Sequence, residues 1–166
     1  MGGTIGARYT PLEVADRLEA FVQAAESGAG GLSEAAGSAD TERALIDIAV
    51  LCKLGRFFAG KSRAATQYAL WRQTSDWDAL SSAIALTEAA RDDYAEILGI
   101  IDGVYRSDLA FGIEASGHGH WSDRLPGIDR DIAELRSELA AAGSTRGRAV
   151  DQPGSRRKGL TCDMTT

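Results

Sequence analysis

Two long stretches of helical periodicity meet across only three residues, Thr74-Ser75-Asp76, and that junction constrains the fold more than any other feature. Before it, Leu45, Ile48, Ala49, Cys52, Arg56 or Phe57, Ala64 or Ala65, and Tyr68 keep a helical spacing. This predicts a helix from near Asp40, placed to cap it, to Gln73. Gly55 and Gly60 lie inside that span, and each costs about 1 kcal/mol relative to alanine. They mark either a break or a close approach by another helix; one long helix is the expectation. After the junction, with Ser75 or Asp76 as the cap, Leu80, Ala83, Ile84, Thr87, Tyr94, Ile97, Leu98 and Ile101 continue the period to Asp102, and Gly103 is a natural stop. So short a connection between two long helices forces an antiparallel hairpin.

Two further helices complete the expected architecture. Thr10, Pro11 and Glu13 form a capping-box pattern, followed by Ala15, Leu18, Phe21, Val22 and Ala25 as one apolar stripe. The run Ser27 to Gly31 (SGAGG) is expected to end this helix, with a flexible link to Ser38. Near the other end, Leu125, Ile128, Ile132, Leu135 and Leu139 step by three and four, a narrow seam suited to the groove of the hairpin. Arg130, Glu134 and Glu138 are expected on its wet face, and Gly143 as its end. The predicted fold is all-α, an antiparallel up-and-down bundle of four helices spanning 10–142, with one long ordered loop. Residues 1–9 are expected to be flexible.

Charge divides the chain. Residues 1–142 carry 13 basic against 22 acidic side chains, whereas residues 143–166 carry 5 against 2. The basic end lacks apolar periodicity and reads as a disordered tail. A nucleic-acid-binding arm is the sharper reading, but no aromatic residue is interleaved there. The overall balance of -6 argues against nucleic acid or an anionic membrane as the main partner. No run approaches the ~20 apolar residues of a membrane span, and MGGTIGARYTPLE lacks a signal-peptide core, so a cytoplasmic location is expected. Cys52 and Cys162 make no disulfide framework; Cys52 is expected to pack as a small hydrophobe.

The irregular segment Val104–Leu125 holds both histidines, His118 and His120, with Tyr105, Phe111 and Trp121 among Asp108, Glu114, Asp123 and Arg124. A loop of this composition is where a helical scaffold puts a site. Two imidazoles two residues apart can face one metal, with Asp108, Glu114 or Asp123 supplying oxygen, but the ligand count is low. No metal, cofactor or catalytic residue is therefore assigned. Tyr105, Phe111 and Trp121 read first as anchors of the loop on the bundle, Trp121 alternatively as a platform for a sugar ring. Arg124 is expected to pair with Asp123 or Asp108. Asp92 and Asp93, with Glu88 and Glu96, read as a solvated face. The ligand-binding candidates are Tyr105, Asp108, His120, Trp121, Asp123 and Arg124.

The stretch LGRFFAGKSRAATQYALW, the turn TSD and then GVYRSDLAFG…GHWSDRLPGIDRDI resemble a helical region toward the C-terminal end of large bacterial glycoside-hydrolase-like proteins. The resemblance covers about 40–139, and GHWSDRLP is its most specific part; His118 has no counterpart in the pattern. It implies a non-catalytic accessory helical domain, possibly a fragment of a longer reading frame. Its partners would be a catalytic domain not encoded here, or a carbohydrate ligand touching His120, Trp121, Asp123 and Arg124. The alternative is a stand-alone helical interaction or homodimerisation module.

Overall fold

The computed structural model describes residues 9–34, 37–110 and 117–150. The expected loop anchor Phe111, the candidate ligand Glu114, Cys162 and residues 151–166 of the expected tail lie outside the described residues. The architecture is an all-α bundle of four helices: α1 (Pro11–Glu34), α2 (Ala39–Thr74), α3 (Trp77–Ile101) and α4 (Leu125–Val150). Between α3 and α4 the chain makes a minimal antiparallel pair, β1 (Leu109–Ala110) with β2 (His118–Gly119), registering Leu109 with Gly119 and Ala110 with His118. A 3-10 helix (Trp121–Arg124) then leads directly into α4.

The hairpin forms as its junction demands. Ser75 adopts the left-handed conformation (φ 58), and its N–H donates to the Trp71 carbonyl at 2.7 Å, closing α2. Asp76 then starts α3, its side chain accepting from the Asp78 N–H at 3.0 Å. The start of α2 differs from expectation. Ser38, not Asp40, is the cap, accepting from the Thr41 N–H at 3.2 Å, and Asp40 sits within the first turn. A hydroxyl two residues earlier reaches the N–H groups that a residue already in the helix cannot.

Gly55 and Gly60 mark close approaches, not a break. A Cβ at Gly60 would lie 2.9 Å from the Ala90 Cβ and 3.6 Å from the Leu86 carbonyl oxygen, so α2 and α3 touch almost backbone to backbone. A Cβ at Gly55 would lie 2.6 Å from Val22 Cγ2, so α1 docks there. Ion pairs then set the antiparallel order. Arg63 binds Asp16 (2.8 Å) and Glu19, and Arg56 binds Glu26 (2.8 Å). Glutamates 88 and 96 with Asp93, expected to be solvated, are cross-helix partners instead: Lys53 bridges Asp93 (3.2 Å) and Glu96 (2.6 Å), and Arg136 binds Glu88 (2.7 Å).

The core runs along α3, where Leu80, Ala83, Ile84, Thr87, Ala90, Tyr94, Ile97 and Ile101 are buried at the predicted spacing. Ile128 and Ile132 of α4 enter the same cluster with Val50 and Phe57 of α2, so the α4 seam lies in the hairpin groove. Glu138 departs from the wet face: it is half-buried and accepts from the Tyr68 hydroxyl of α2 at 3.3 Å. Buried Cys52 packs as expected, and burial pushes its thiol above the ordinary range.

Three helix-edge expectations fail for related reasons. The capping box of α1 is present, with the Glu13 N–H donating to Thr10 Oγ1 at 3.2 Å and the Thr10 N–H to Glu13 Oε2 at 2.7 Å. Yet α1 runs through SGAGG to Glu34. Glycine weakens a helix without removing its N–H, and Glu26 and Ala29 still face Ala49, Cys52 and Lys53 of α2. Likewise α4 passes Gly143 and reaches Val150. Finally, the α1 stripe is only half used: Ala15 and Val22 are buried, whereas Ala25 is exposed and Phe21 is 68% exposed. Since α1 packs on α2, one flank of a stripe this wide has no helix to cover it.

The crossing at Gly60 yields an inverted expectation for alanine. Gly60→Ala should destabilise the protein by about 1–3 kcal/mol through overpacking, despite alanine's better helix propensity. Gly99→Ala, where nothing lies within 4 Å, should stabilise it by about 0.5–1 kcal/mol. Denaturant midpoints of the two variants check this, and a stabilised Gly60→Ala would show that the helices have room to part.

Candidate functional site

The end of the bundle where α3 stops is closed by the 3-10 helix, and each of its fastenings is identifiable. The Ser122 N–H donates to His120 Nδ1 at 3.2 Å, while the His120 N–H donates to Asp123 Oδ2 at 2.7 Å, a reciprocal cap. Nδ1 is thus an acceptor, which places the ring proton on Nε2 in this arrangement. Gly119 precedes it at φ 156, and a Cβ there would lie 2.9 Å from the same Asp123 oxygen. From α3, the Tyr94 hydroxyl donates to the Trp121 carbonyl at 2.9 Å. Burial raises the Tyr94 phenol above its ordinary value; Arg124 opposes the shift and Asp123 adds to it.

An aromatic ladder links this corner to α2. Ring centroids lie 6.2 Å apart between Trp121 and Tyr94, 5.1 Å between Tyr94 and Phe57, and 5.1 Å between Phe57 and Phe58. Beside the ladder opens a cleft of about 620 Å³ between α2 and the start of α4. Its walls are Leu54, Phe57, Phe58, Tyr94, Trp121 and Ile128; its polar lining includes Lys61, His120, Arg124, Arg130 and Asp131.

Of the six candidate residues, the structure brings His120, Trp121 and Arg124 to this cleft. Asp123 stands behind it as the cap of His120. Tyr105 and Asp108 do other work. Tyr105 packs against the core cluster and its hydroxyl donates to Asp47 of α2, a bond that raises the phenol's pKa. Asp108 lies 3.5 Å from His118 Nδ1 across the β1–β2 pair, both side chains largely exposed. The expected pairing of Arg124 with Asp123 or Asp108 does not form, since both carboxylates already hold other partners. Among the described residues no three His, Cys, Asp or Glu side chains converge in a way that would hold a metal ion.

Sequence reading missed the α2 contribution, Leu54, Phe57, Phe58 and Lys61. Its signal was the doubled aromatic Phe57-Phe58, one more than a single buried face can accept. Also missed was a second feature, the outer side of the α1/α2 pair. Val14, Phe21 and Leu32 of α1, and Leu51 and Phe58 of α2, are exposed large apolar residues, Phe21 at 68% and Leu51 at 65%. Seven-residue spacing relates Val14 to Phe21 and Leu51 to Phe58, so each pair lies on one stripe of its helix. Among the described residues no helix is long and apolar enough to cross a membrane. No protein-family model matches the chain, and no curated protein and no solved structure matches it.

Removing the Tyr94 hydroxyl tests the fastening. Tyr94→Phe should cost about 1 kcal/mol and shift the Trp121 indole resonance, with the α1/α2 resonances unmoved. The raised phenol pKa values carry a sign. Protonated Tyr94 and Tyr105 are favoured in the fold, so their contribution is intact below the ordinary tyrosine value of about 10 and falls as pH rises through the raised values. Urea midpoints measured up the alkaline limb should decline, and less steeply in Tyr94→Phe.

Proposed function

We infer that the chain is a non-catalytic helical interaction module that pairs with a second copy of itself through the outer face of α1 and α2. The observation that carries this reading is the way charge brackets the exposed apolar stripe. Along α2 the stripe is centred near Gly55. Asp47 and Asp40 lie in line with it on one side, by steps of four and seven from Leu51 and from each other. On the other side lie Arg72, 14 residues beyond Phe58, and Arg17, three residues from Val14 and level with Arg63 through its neighbour Asp16. A two-fold axis crossing the helices at Gly55 lays apolar stripe on apolar stripe and basic end on acidic end. The opposite stacking would set like charges together.

The size is adequate. Val14 to Leu32 spans about 28 Å of helix, and two helices side by side offer roughly 600 Å² per copy, close to the ~800 Å² per partner of ordinary interfaces. A cytoplasmic, reducing setting suits the buried free thiol of Cys52.

Sedimentation decides the matter. The full chain should sediment as a dimer at about 100 µM, and Phe21→Glu with Leu51→Glu should give a monomer whose helicity and melting temperature are unchanged or improved. Arg72→Glu should weaken the dimer without abolishing it. A strict monomer at that concentration would count against self-association.

A second reading is the accessory module of a carbohydrate-active protein, completed by a domain not encoded here. One observation favours it: the Trp121 ring forms part of the cleft wall, beside groups able to bond hydroxyls. A glycan panel probed with the full chain tests it, since binding confined to oligosaccharides and lost on Trp121→Ala would support it.

A further inference from the structure

We propose that the cleft between α2 and the start of α4 is a binding site for an organic anion with a flat apolar body, of which an arenecarboxylate is the simplest form. The first ground is the distribution of ion pairs. Arg43, Lys53, Arg56, Arg63, Arg91 and Arg136 each bind at least one carboxylate. Among the described residues Lys61, Arg124 and Arg130 bind none; Arg17, Arg72 and Arg106 also lack a carboxylate but are scattered, whereas these three line one cleft. The protein as a whole carries a charge of -6, so carboxylates are not scarce. The neighbours that were available have been taken up elsewhere: Asp123 caps His120, and Asp129 binds Arg91 at 2.9 Å. Asp131 is the one acidic side chain in the lining, set against three cations. A ligand anion entering here meets an uncompensated positive field, and Arg124 and Arg130 offer the forked donors that match a carboxylate or phosphate.

The second ground is the shape and chemistry of the rest. About 620 Å³ lies within the range of small-molecule sites, which is roughly 300–1,000 Å³. Phe57, Phe58, Tyr94 and Trp121 supply ring faces and edges, with Leu54 and Ile128 beside them. Lys61 Nζ sits 5.4 Å over the Phe57 ring, so the negative group of a ligand whose apolar body packs on the aromatic wall lies within reach of a cation. A small inorganic anion would leave the aromatic wall unused, and a neutral apolar molecule would leave the cations unanswered. The buried cores of Phe57 and Tyr94 fix the wall in place, which limits the ordering cost of binding.

A contrasting cavity shows that this is not a general property of the surface. Arg56 and Arg63 line another depression of about 250 Å³ on the α1 side of α2. There Glu26, Glu19 and Asp16 neutralise both guanidiniums. The cleft does not depend on self-association: it lies on the Leu54–Phe57–Lys61 side of α2 and the proposed dimer face on the Leu51 side. Phe58 borders both and is therefore left unchanged in the test.

Calorimetry on the full chain at low salt, with 2-naphthoate, 2-naphthylmethanol, acetate and a neutral cello-oligosaccharide as probes, tests the assignment. Naphthoate should bind with a dissociation constant below about 1 mM, and both naphthylmethanol and acetate at least about tenfold more weakly. Arg124→Gln combined with Lys61→Gln should weaken naphthoate at least about tenfold while leaving naphthylmethanol unchanged. Both side chains are exposed, so the fold should survive; a melting curve checks it, and Arg43→Gln is the control charge removal. Naphthoate should also shift the Trp121 indole resonance. Equal binding of naphthoate and naphthylmethanol would overturn the proposal, as would no binding up to about 10 mM, or preferential binding of the neutral sugar. The sedimentation result stands apart from all of these.

Discussion

The near-contact of backbones at Gly60 and Ala90 is the constraint on which the rest of the molecule depends. It lets α2 and α3 lie close enough for Lys53 to reach Asp93 and Glu96 and for Phe57 to reach Tyr94. With α3 supplying half of the buried residues, both outer helices dock on the hairpin. Helix α1 takes the side of α2 opened by Gly55, and α4 takes the groove lined by Phe57, Ala64 and Tyr68. Absent side chains thus organise this bundle as firmly as its leucines do: van der Waals contact falls off so steeply that one methyl decides whether two helices meet.

From that arrangement the cleft follows. Tyr94 belongs to the core through its ring and to the 3-10 helix through its hydroxyl, so one residue transmits the register of α3 to the corner that carries Trp121 and Arg124. The corner is then locked internally by the mutual bonds of His120 and Asp123. The two residues that looked most chemical, His118 and His120, have separate duties: the first faces Asp108 at an exposed strand pair, the second caps a helix. Their spacing in the chain said nothing of this, because adjacent strand and cap positions point their side chains differently.

Much of the fold was legible because helical signals are local. The Thr10–Glu13 box, the three-residue junction and the seams of α3 and α4 each specify structure within a few residues, and the structure matches them. The glycines of α2 were legible as an alternative, break or close approach, but only the partner helix resolves it. What the chain concealed was tertiary in origin. Phe21 and Val22 are equivalent as hydrophobes, and only the side on which α2 lies distinguishes them. Arg124 and Asp123 are sequence neighbours, yet Asp123 is claimed by the His120 N–H. Glycines 28, 30 and 31 stay helical where Ala29 still faces α2 across a shared depression. A third of the cleft lining came from α2, some 60 residues from the loop that drew attention to the site.

The two unsatisfied features of the surface share a physical origin. A four-helix arrangement that docks each outer helix on a hairpin leaves one side of α2 without a helix. Residues on that side must be polar or must meet something else. The chain places Leu51 and Phe58 there, and on the adjoining side it places Phe57 with Lys61. A solvated surface of a protein so acidic would be expected to pair its cations, and where α2 faces α1 and α3 it does so through Lys53, Arg56 and Arg63. Where pairing stops and aromatic rings begin, the structure departs from what stability alone selects. Uncovered apolar rings cost hydration free energy and unpaired guanidiniums forgo charge-assisted bonds, and neither helps the fold. Such departures concentrate where binding, and not folding, sets the residue. On this chain they concentrate along α2, on its free side and in the cleft it shares with the start of α4, and both proposed interactions rest on that helix for this reason.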